Sequence, residues 1–216
     1  MSWNEEYDER GNVIVPLDRM MPSLLLRVPA MPYDMGMHML RIKYGKFARR
    51  TGCVRWRFRL ELQREVRRYP LPLPDGYFLH VVKDIHWGHY GRSQFPNYWR
   101  GWRGMFRGFH FHVDETDCLV LDLAPKRDDL MHITVSTVLL PKENVDTLQE
   151  TIYEMYGDDI AAGVAAECMN QKNKPWYDPG NSVRLEKQFN SAINDEMARM
   201  ERDKTGTAYM RTRRFI

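Results

Sequence analysis

The stretch Val54-Arg-Trp-Arg-Phe-Arg-Leu60 decides how the chain is read. Apolar and basic residues alternate strictly along it. Val54, Trp56, Phe58 and Leu60 therefore share one face, and Arg55, Arg57 and Arg59 share the other. A period of two is that of a half-buried strand. Further along, Tyr69-Pro-Leu-Pro-Leu-Pro-Asp-Gly76 is unsuited to a central strand, because each proline removes a ladder donor. It predicts an extended edge ending in a turn. Strands are expected at Tyr77 to Trp87 and again through Met131, Ile133, Val135 and Leu139, before Pro141. Phe109, Phe111 and Val113, a turn at Asp114 to Asp117 and the return Leu119, Leu121 and Leu123 predict a hairpin. Residues from about 54 to 141 thus read as an antiparallel β module.

On both sides of this module the period lengthens to that of a helix. The first sixteen residues are polar. Asp18 is then placed to cap a short helix carrying Met21, Leu24, Leu25 and Val28, which Pro29 and Pro32 stop. A second helix is expected from near Tyr33-Asp34 to Thr51, with Leu40, Tyr44, Phe47 and Ala48 as its apolar face and Gly52 closing it. After Pro141, the residues Val145, Leu148, Ile152, Met155, Ile160, Val164 and Cys168 trace one face of a long helix. Asn173 to Pro179 breaks it, and a last helix carries Val183, Leu185, Phe189, Ile193, Met197 and Met200. The end, KTGTAYMRTRRFI (204–216), is basic and aperiodic. The expected class is α+β. Helices in 17–52 and 142–203 form one bundle around Leu40, Phe47, Ile152, Ile160, Phe189 and Ile193. The antiparallel β module, 53–141, is inserted between them, and 204–216 is an extended tail.

Composition narrows the function classes. The chain has 216 residues, 43% hydrophobic and 28% charged, which excludes an intrinsically disordered chain. No apolar run approaches the length of a membrane span, and the acidic opening MSWNEEYDER lacks the apolar core of a secretory signal. Cys53, Cys118 and Cys168 are odd in number and far apart, as expected of free thiols. The net charge of +3 hides a segregation. Arg41 to Arg68 holds eleven basic residues against Glu61 and Glu65. Val113 to Ile160 holds twelve acidic residues against Lys126, Arg127 and Lys142. Such a bipolar chain either joins head to tail with copies of itself or simply carries two solvated faces.

Candidate chemistry is sparse. His86, His89, His110, His112 and Cys118 are the only grouping with metal-ligand spacing, and no CxxC or HExxH accompanies them, so no metal site is expected. No nucleophile elbow, phosphate loop or dinucleotide fingerprint is present, so neither an enzyme nor a cofactor is expected. Asp158-Asp159 reads as a solvated helix edge. The segment RSQFPNYWRGWRGMFR (92–107) mixes arginines with aromatics and has no acidic residue. That mixture fits a protein–protein hot spot, and it fits stacking on bases beside phosphates. As an exposed loop, its Tyr98, Trp99, Arg100, Trp102, Arg103, Phe106 and Arg107 are candidates for a subunit or tail interface. The nucleic-acid alternative uses Arg100, Trp102, Arg103 and Arg55 to Arg59. Pro175 and Pro179 are expected to fix the reversal between the last helices, with Trp176 packed over the bundle end as scaffold. In the tail, Lys204, Arg211, Arg213 and Arg214 alternate with Tyr209, Met210, Phe215 and Ile216. That suits an arm that orders on a partner's sheet edge, or else an unstructured solubilising end.

Three motifs carry a family resemblance. LLLRVPAMPYDMGMHMLRIKYGKFARRTGCVRWRF (24–58) resembles the opening of the tail tubular protein A-like head-to-tail adaptors of tailed bacteriophages. In these a short helix, a proline break and a longer helix lead to a strand carrying Trp-Arg. YPLPLPDGY (69–77) is similar to their aromatic–proline–Asp-Gly turn. IYEMYGDDIAAGVAAECMNQKNKPWYDPGNSVRLEKQFNSAI (152–193) resembles their tyrosine-rich helix with an internal glycine, Lys-Pro-Trp loop and final helix. Gly163, Lys174, Pro175, Trp176, Asp178, Pro179, Phe189 and Ile193 occupy those places. The segment 88–107 and the basic tail depart from the pattern. The resemblance implies a structural virion protein in the neck or tail, assembled in the host cytoplasm as a dodecameric ring. Its implied partners are the portal protein, reached through 204–216, and a tail tube or nozzle protein. Genomic DNA would pass through the lumen without specific binding. Another tail-completion or baseplate subunit is the related alternative.

Overall fold

The computed structural model describes residues 13–87, 92–99, 103–106, 109–114, 116–122, 124–125 and 131–205. Its class is α+β, as the change of period predicts. The strands are β1 (Ile14–Pro16), β2 (Arg55–Leu62), β3 (Arg68–Pro70), β4 (Tyr77–Trp87), β5 (Arg92–Trp99), β6 (Arg103–Phe106), β7 (Phe109–Val113), β8 (Cys118–Leu121), β9 (Met131–Pro141) and β10 (Thr147–Gln149). The helices are α1 (Met21–Arg27), α2 (Tyr33–Thr51), α3 (Glu150–Met169) and α4 (Pro179–Thr205). Two compact units result, one from residues 1–17 and 54–154, the other from 18–53 and 155–216. Among the described residues, no helix is long and apolar enough to cross a membrane.

The first unit is antiparallel throughout its described pairings. Its strand orders are β1-β10, β2-β9-β4-β5 and β3-β8-β7-β6. In β2, Phe58, Leu60 and Leu62 are buried while Arg57, Arg59 and Glu61 are exposed, as alternation requires. Arg55 pairs with Val138 and Leu62 with Met131, which places β9 at the centre between β2 and β4. A central position explains why Thr137 to Pro141 are buried without alternation. β3 is an edge strand, as Pro70 demands. Gly76, at φ 81°, closes the turn before β4, and a Cβ there would lie 3.2 Å from Val145 Cγ2.

The hairpin β7–β8 turns on Asp114. Its carboxylate accepts from the Thr116 and Cys118 backbone N–H groups at 2.9 and 3.0 Å and from the Thr116 hydroxyl at 2.7 Å. Arg68 lies 2.7 Å from its other oxygen. Partial desolvation works against the charged form, but these donors and Arg68 outweigh it and hold the carboxyl down at about 2. A depressed carboxylate stabilises above its unfolded value and loses that contribution as pH falls through the folded one. Asp114→Asn should therefore weaken the hairpin at neutral pH and flatten the fall in stability between about pH 4 and pH 2. Denaturant midpoints across that range test it; an unchanged acid slope would exclude the role.

Three expectations fail in this unit. Val145 and Leu148 are buried but belong to no helix, since Thr147–Gln149 is β10 and α3 starts at Glu150. The strand forms because β1 offers a partner (Ile14 pairs with Gln149) and because the Tyr77 hydroxyl donates to Thr147 O at 2.6 Å. The opening residues, read only as polar, supply that partner. Finally, the Arg/aromatic segment is not a loop: Arg92–Trp99 and Arg103–Phe106 are β5 and β6. Its phenylalanine, tyrosine and tryptophan favour extended chain, and Pro96 is tolerated because β5 lies at a sheet edge.

The second unit is helical. Asp18 caps no α-helix, because Leu17–Met20 is a 3-10 turn and Met20 precedes α1 without a side-chain cap. Helix α2 ends as expected. Gly52 has φ 61°, and its N–H reaches Ala48 O at 2.8 Å. Leu40, Phe47, Ile160, Phe189 and Ile193 are fully buried here, whereas Ile152, expected with them, is buried in the first unit and Met155, expected on the same face, is exposed. The run Ile160 to Ala166 is buried on every side. Two residues assigned to the apolar face of α4, Val183 and Met197, are instead exposed. The buried row passes through Ser182, Leu185, Phe189, Ile193, Glu196 and Met200, and Val183 and Met197 each sit one residue off it.

Candidate functional site

The described part of the expected scaffold is the loop between α3 and α4. Helix α3 ends at Met169, whose carbonyl accepts from the Asp178 N–H at 2.9 Å. Asp178 in turn caps α4, accepting from the Asn181 N–H at 3.0 Å, with Pro179 as the first helical residue. Asn173 has φ 63° and Tyr177 N–H bonds to Lys174 O at 3.0 Å, so the reversal is tightly specified. Trp176 is half-buried with its indole Nε1 enclosed, and the Lys174 ammonium lies 5.9 Å from its ring centroid. Pro175 and Tyr177 are exposed.

Two charged clusters lie inside the helical unit. Lys43, 4% exposed, is 2.9 Å from Glu167 and 3.6 Å from Glu186, and its ammonium lies 5.3 Å from the Phe189 ring. Glu196, fully buried, accepts from the Tyr156 hydroxyl at 2.6 Å and from Arg199 Nε at 2.8 Å. Burial and the adjacent carboxylate push the Tyr156 phenol up, so it stays a donor. Asp158 and Asp159 are also more than a solvated edge. Asp158 accepts from Ser23 at 2.6 Å and Arg27 at 2.8 Å, tying α1 to α3, and Asp159 accepts from Gln188 at 2.8 Å. No periodicity signals such pairs, because the partners are remote in sequence.

The expected interface residues are placed unevenly. Tyr98 and Trp99 sit on β5 opposite Val82 and Val81, and Arg103 and Phe106 sit on β6 opposite His112 and Phe109. The two groups therefore belong to different sheets. Arg100, Trp102 and Arg107 lie outside the described residues, as do Tyr209, Met210, Arg211, Arg213, Arg214, Phe215 and Ile216. Lys204 does not begin a tail: α4 continues through it to Thr205, since nothing in Met200–Thr205 breaks a helix before Gly206. His86 and His110 lie on strands of different sheets, His89 is outside the described residues, and His112 Nδ1 faces Asp122 at 3.6 Å. Among the described residues there is no group of three or more His, Cys, Asp or Glu able to hold a metal.

The thiols are free. Burial pushes Cys53 up to about 12 and Cys168 up to about 11, whereas Cys118 is half-exposed beside the Thr116 hydroxyl. A thiol reagent at pH 8 should therefore titrate one thiol in the native protein and all three in denaturant. Two fast native thiols would contradict the burial of Cys53 or Cys168.

The chain matches no protein-family model and no curated protein.

Proposed function

We propose that the chain is a non-enzymatic head-to-tail adaptor of a tailed bacteriophage, forming a ring between the portal and the tail. The observation that carries the reading is the order of the fold. The described parts of segments 18–53 and 155–216 build one helical unit, and the chain between them, 54–154, carries every described strand except β1. This is the arrangement that the three sequence motifs imply. Gly163 against Phe189, and Asp178 with Pro179 opening α4, give the third motif a packing role in that unit. In this reading the tail tube or nozzle protein meets the ring on its other side, genomic DNA runs through the lumen, and the protein resides in the virion.

Solution mass tests the proposal. The chain alone should sediment largely as a monomer at micromolar concentration, because exposed charge pairs in moderate salt contribute little each. Added to the portal ring of the same virion, it should form a complex whose mass accounts for one adaptor ring. A chain that leaves portal mass unchanged at saturating concentration would refute the adaptor reading, and a stable free ring would refute assembly on the portal.

A further inference from the structure

One surface of the helical unit gathers basic residues from two helices. Along α4, Arg184, Lys187 and Asn190 fall at successive three-residue steps and so line one side of the helix, spanning about 9 Å of rise. Helix α2 completes the row. Its Arg50 Nη1 donates to Asn190 Oδ1 at 3.5 Å, and its Lys46 ammonium lies 5.9 Å from the ring of Phe189. Lys46, Arg49, Arg50, Arg184 and Lys187 are all exposed. Beneath them, the buried Lys43 answers both Glu167 and Glu186. Lys46 and Arg50 thus stand beside a cluster whose own net charge is only −1, and Arg49, Arg184 and Lys187 add exposed positive charge on the same two helices.

We propose that this row binds the phosphate backbone of double-stranded DNA. Positive charge in line on two packed helices is sufficient for non-specific duplex binding. A protein partner would instead require an apolar centre among the charges. Here the exposed apolar residues Ile42 and Val183 stand one turn before Lys46 and Lys187, at the end of the row and not at its centre. Duplex DNA also presents one charge for about every 1.7 Å of axis, so a row of this length spans several phosphates. The inference rests on the adaptor reading only for the identity of the polyanion.

The test is fluorescence anisotropy of a labelled 24-base-pair duplex with the full chain and no portal. Binding is expected at 50 mM salt. With about four phosphates contacted, it should weaken about a hundredfold by 200 mM. K46E/R50E/K187E should lose binding by more than tenfold. K46Q/R50Q/K187Q should lose less and keep the wild-type melting curve, which decides the matter if the reversal variant fails to fold. R55E/R57E/R59E, on β2, should lose less than K46E/R50E/K187E. The proposal is overturned by no binding at 50 mM salt, by unchanged binding of the glutamine variant, or by loss confined to R55E/R57E/R59E. Displacement of the duplex by polyglutamate as efficient as by unlabelled duplex would overturn it too, pointing to an acidic protein instead. Portal association is measured separately, so either reading can fail while the other stands.

Discussion

Gly163→Ala is expected to destabilise the protein by about 2 kcal/mol, although alanine is the better helix former by about 1 kcal/mol. The reason is the approach of α4 to α3. A Cβ at position 163 would lie 2.7 Å from Phe189 Cγ, 2.8 Å from Cδ2 and 3.1 Å from Phe189 Cβ. These distances are too short for carbon atoms, so either the ring or a helix must move. The ring has little room. Phe189 is fully buried, its centroid lies 6.3 Å from that of Phe47, and Lys43 sits over it. Overpacking of this kind costs about 1–3 kcal/mol, and the upper end applies where the neighbour is held on several sides. A double-mutant cycle separates this clash from a propensity effect. Phe189→Ala alone should cost about 3–5 kcal/mol. Adding Gly163→Ala to it should then be neutral, or stabilising by up to about 1 kcal/mol, because the obstructing ring is gone. Denaturant melts of the four proteins decide it. A wild-type background in which Gly163→Ala raises the midpoint would mean that the helices are not in this contact.

That contact was only half legible in the sequence. Phe189 announces itself as a core position by its spacing from Leu185 and Ile193, and Gly163 stands out inside an otherwise apolar helix. The need for glycine comes from the pairing of the two, which no local pattern encodes. The same limit explains the other differences. Alternation in Arg55–Leu62 read correctly because one face of β2 is buried and the other exposed, so period maps directly onto burial. Helix α2 read correctly from Leu40 to its glycine cap for the same reason. Val145 and Leu148 misled because two apolar residues three apart suit a helix face as well as an irregular turn running into a short strand. The choice was made by β1, more than a hundred residues away.

The candidate site was less legible than the fold. Arginine among aromatics signals an exposed contact segment, yet Tyr, Trp and Phe are also strand formers, and the backbone pairs β5 with β4 and β6 with β7. The α2–α4 cation row escaped sequence reading altogether. Lys46 and Arg50 lie in one basic stretch and Arg184 and Lys187 in another, and only the packing of the helices brings them to one surface. Buried charge was invisible for a related reason: Glu196 occupies a position on α4 where periodicity calls for an apolar residue, and nothing nearby in sequence identifies Tyr156 as its partner.

Glu196 sets up the second large effect. Arg199→Ala is expected to cost about 3 kcal/mol, more than a surface ion pair would. Arg199 is 45% exposed on its side chain, but the carboxylate it serves is wholly enclosed. Its Nε and Nη2 donate to the two Glu196 oxygens at 2.8 and 3.3 Å, and the Tyr156 phenol supplies the third bond at 2.6 Å. Without the guanidinium, a buried anion keeps a single neutral donor, and leaving one partner of a buried pair uncompensated costs about 3–5 kcal/mol. The lower end is expected because the exposed flank of Arg199 lets water approach the vacated space. Replacing the whole group should behave differently. In Tyr156→Phe/Glu196→Leu/Arg199→Met no polar atom is left unsatisfied, and buried pairs exchanged for apolar residues of similar volume are often neutral. The triple variant should therefore recover to within about 1 kcal/mol of wild type while Arg199→Ala alone does not. If Arg199→Ala melts within about 0.5 kcal/mol of wild type, Glu196 is not enclosed as described; if the triple variant is the less stable of the two, the network contributes more than the neutralisation of one buried charge.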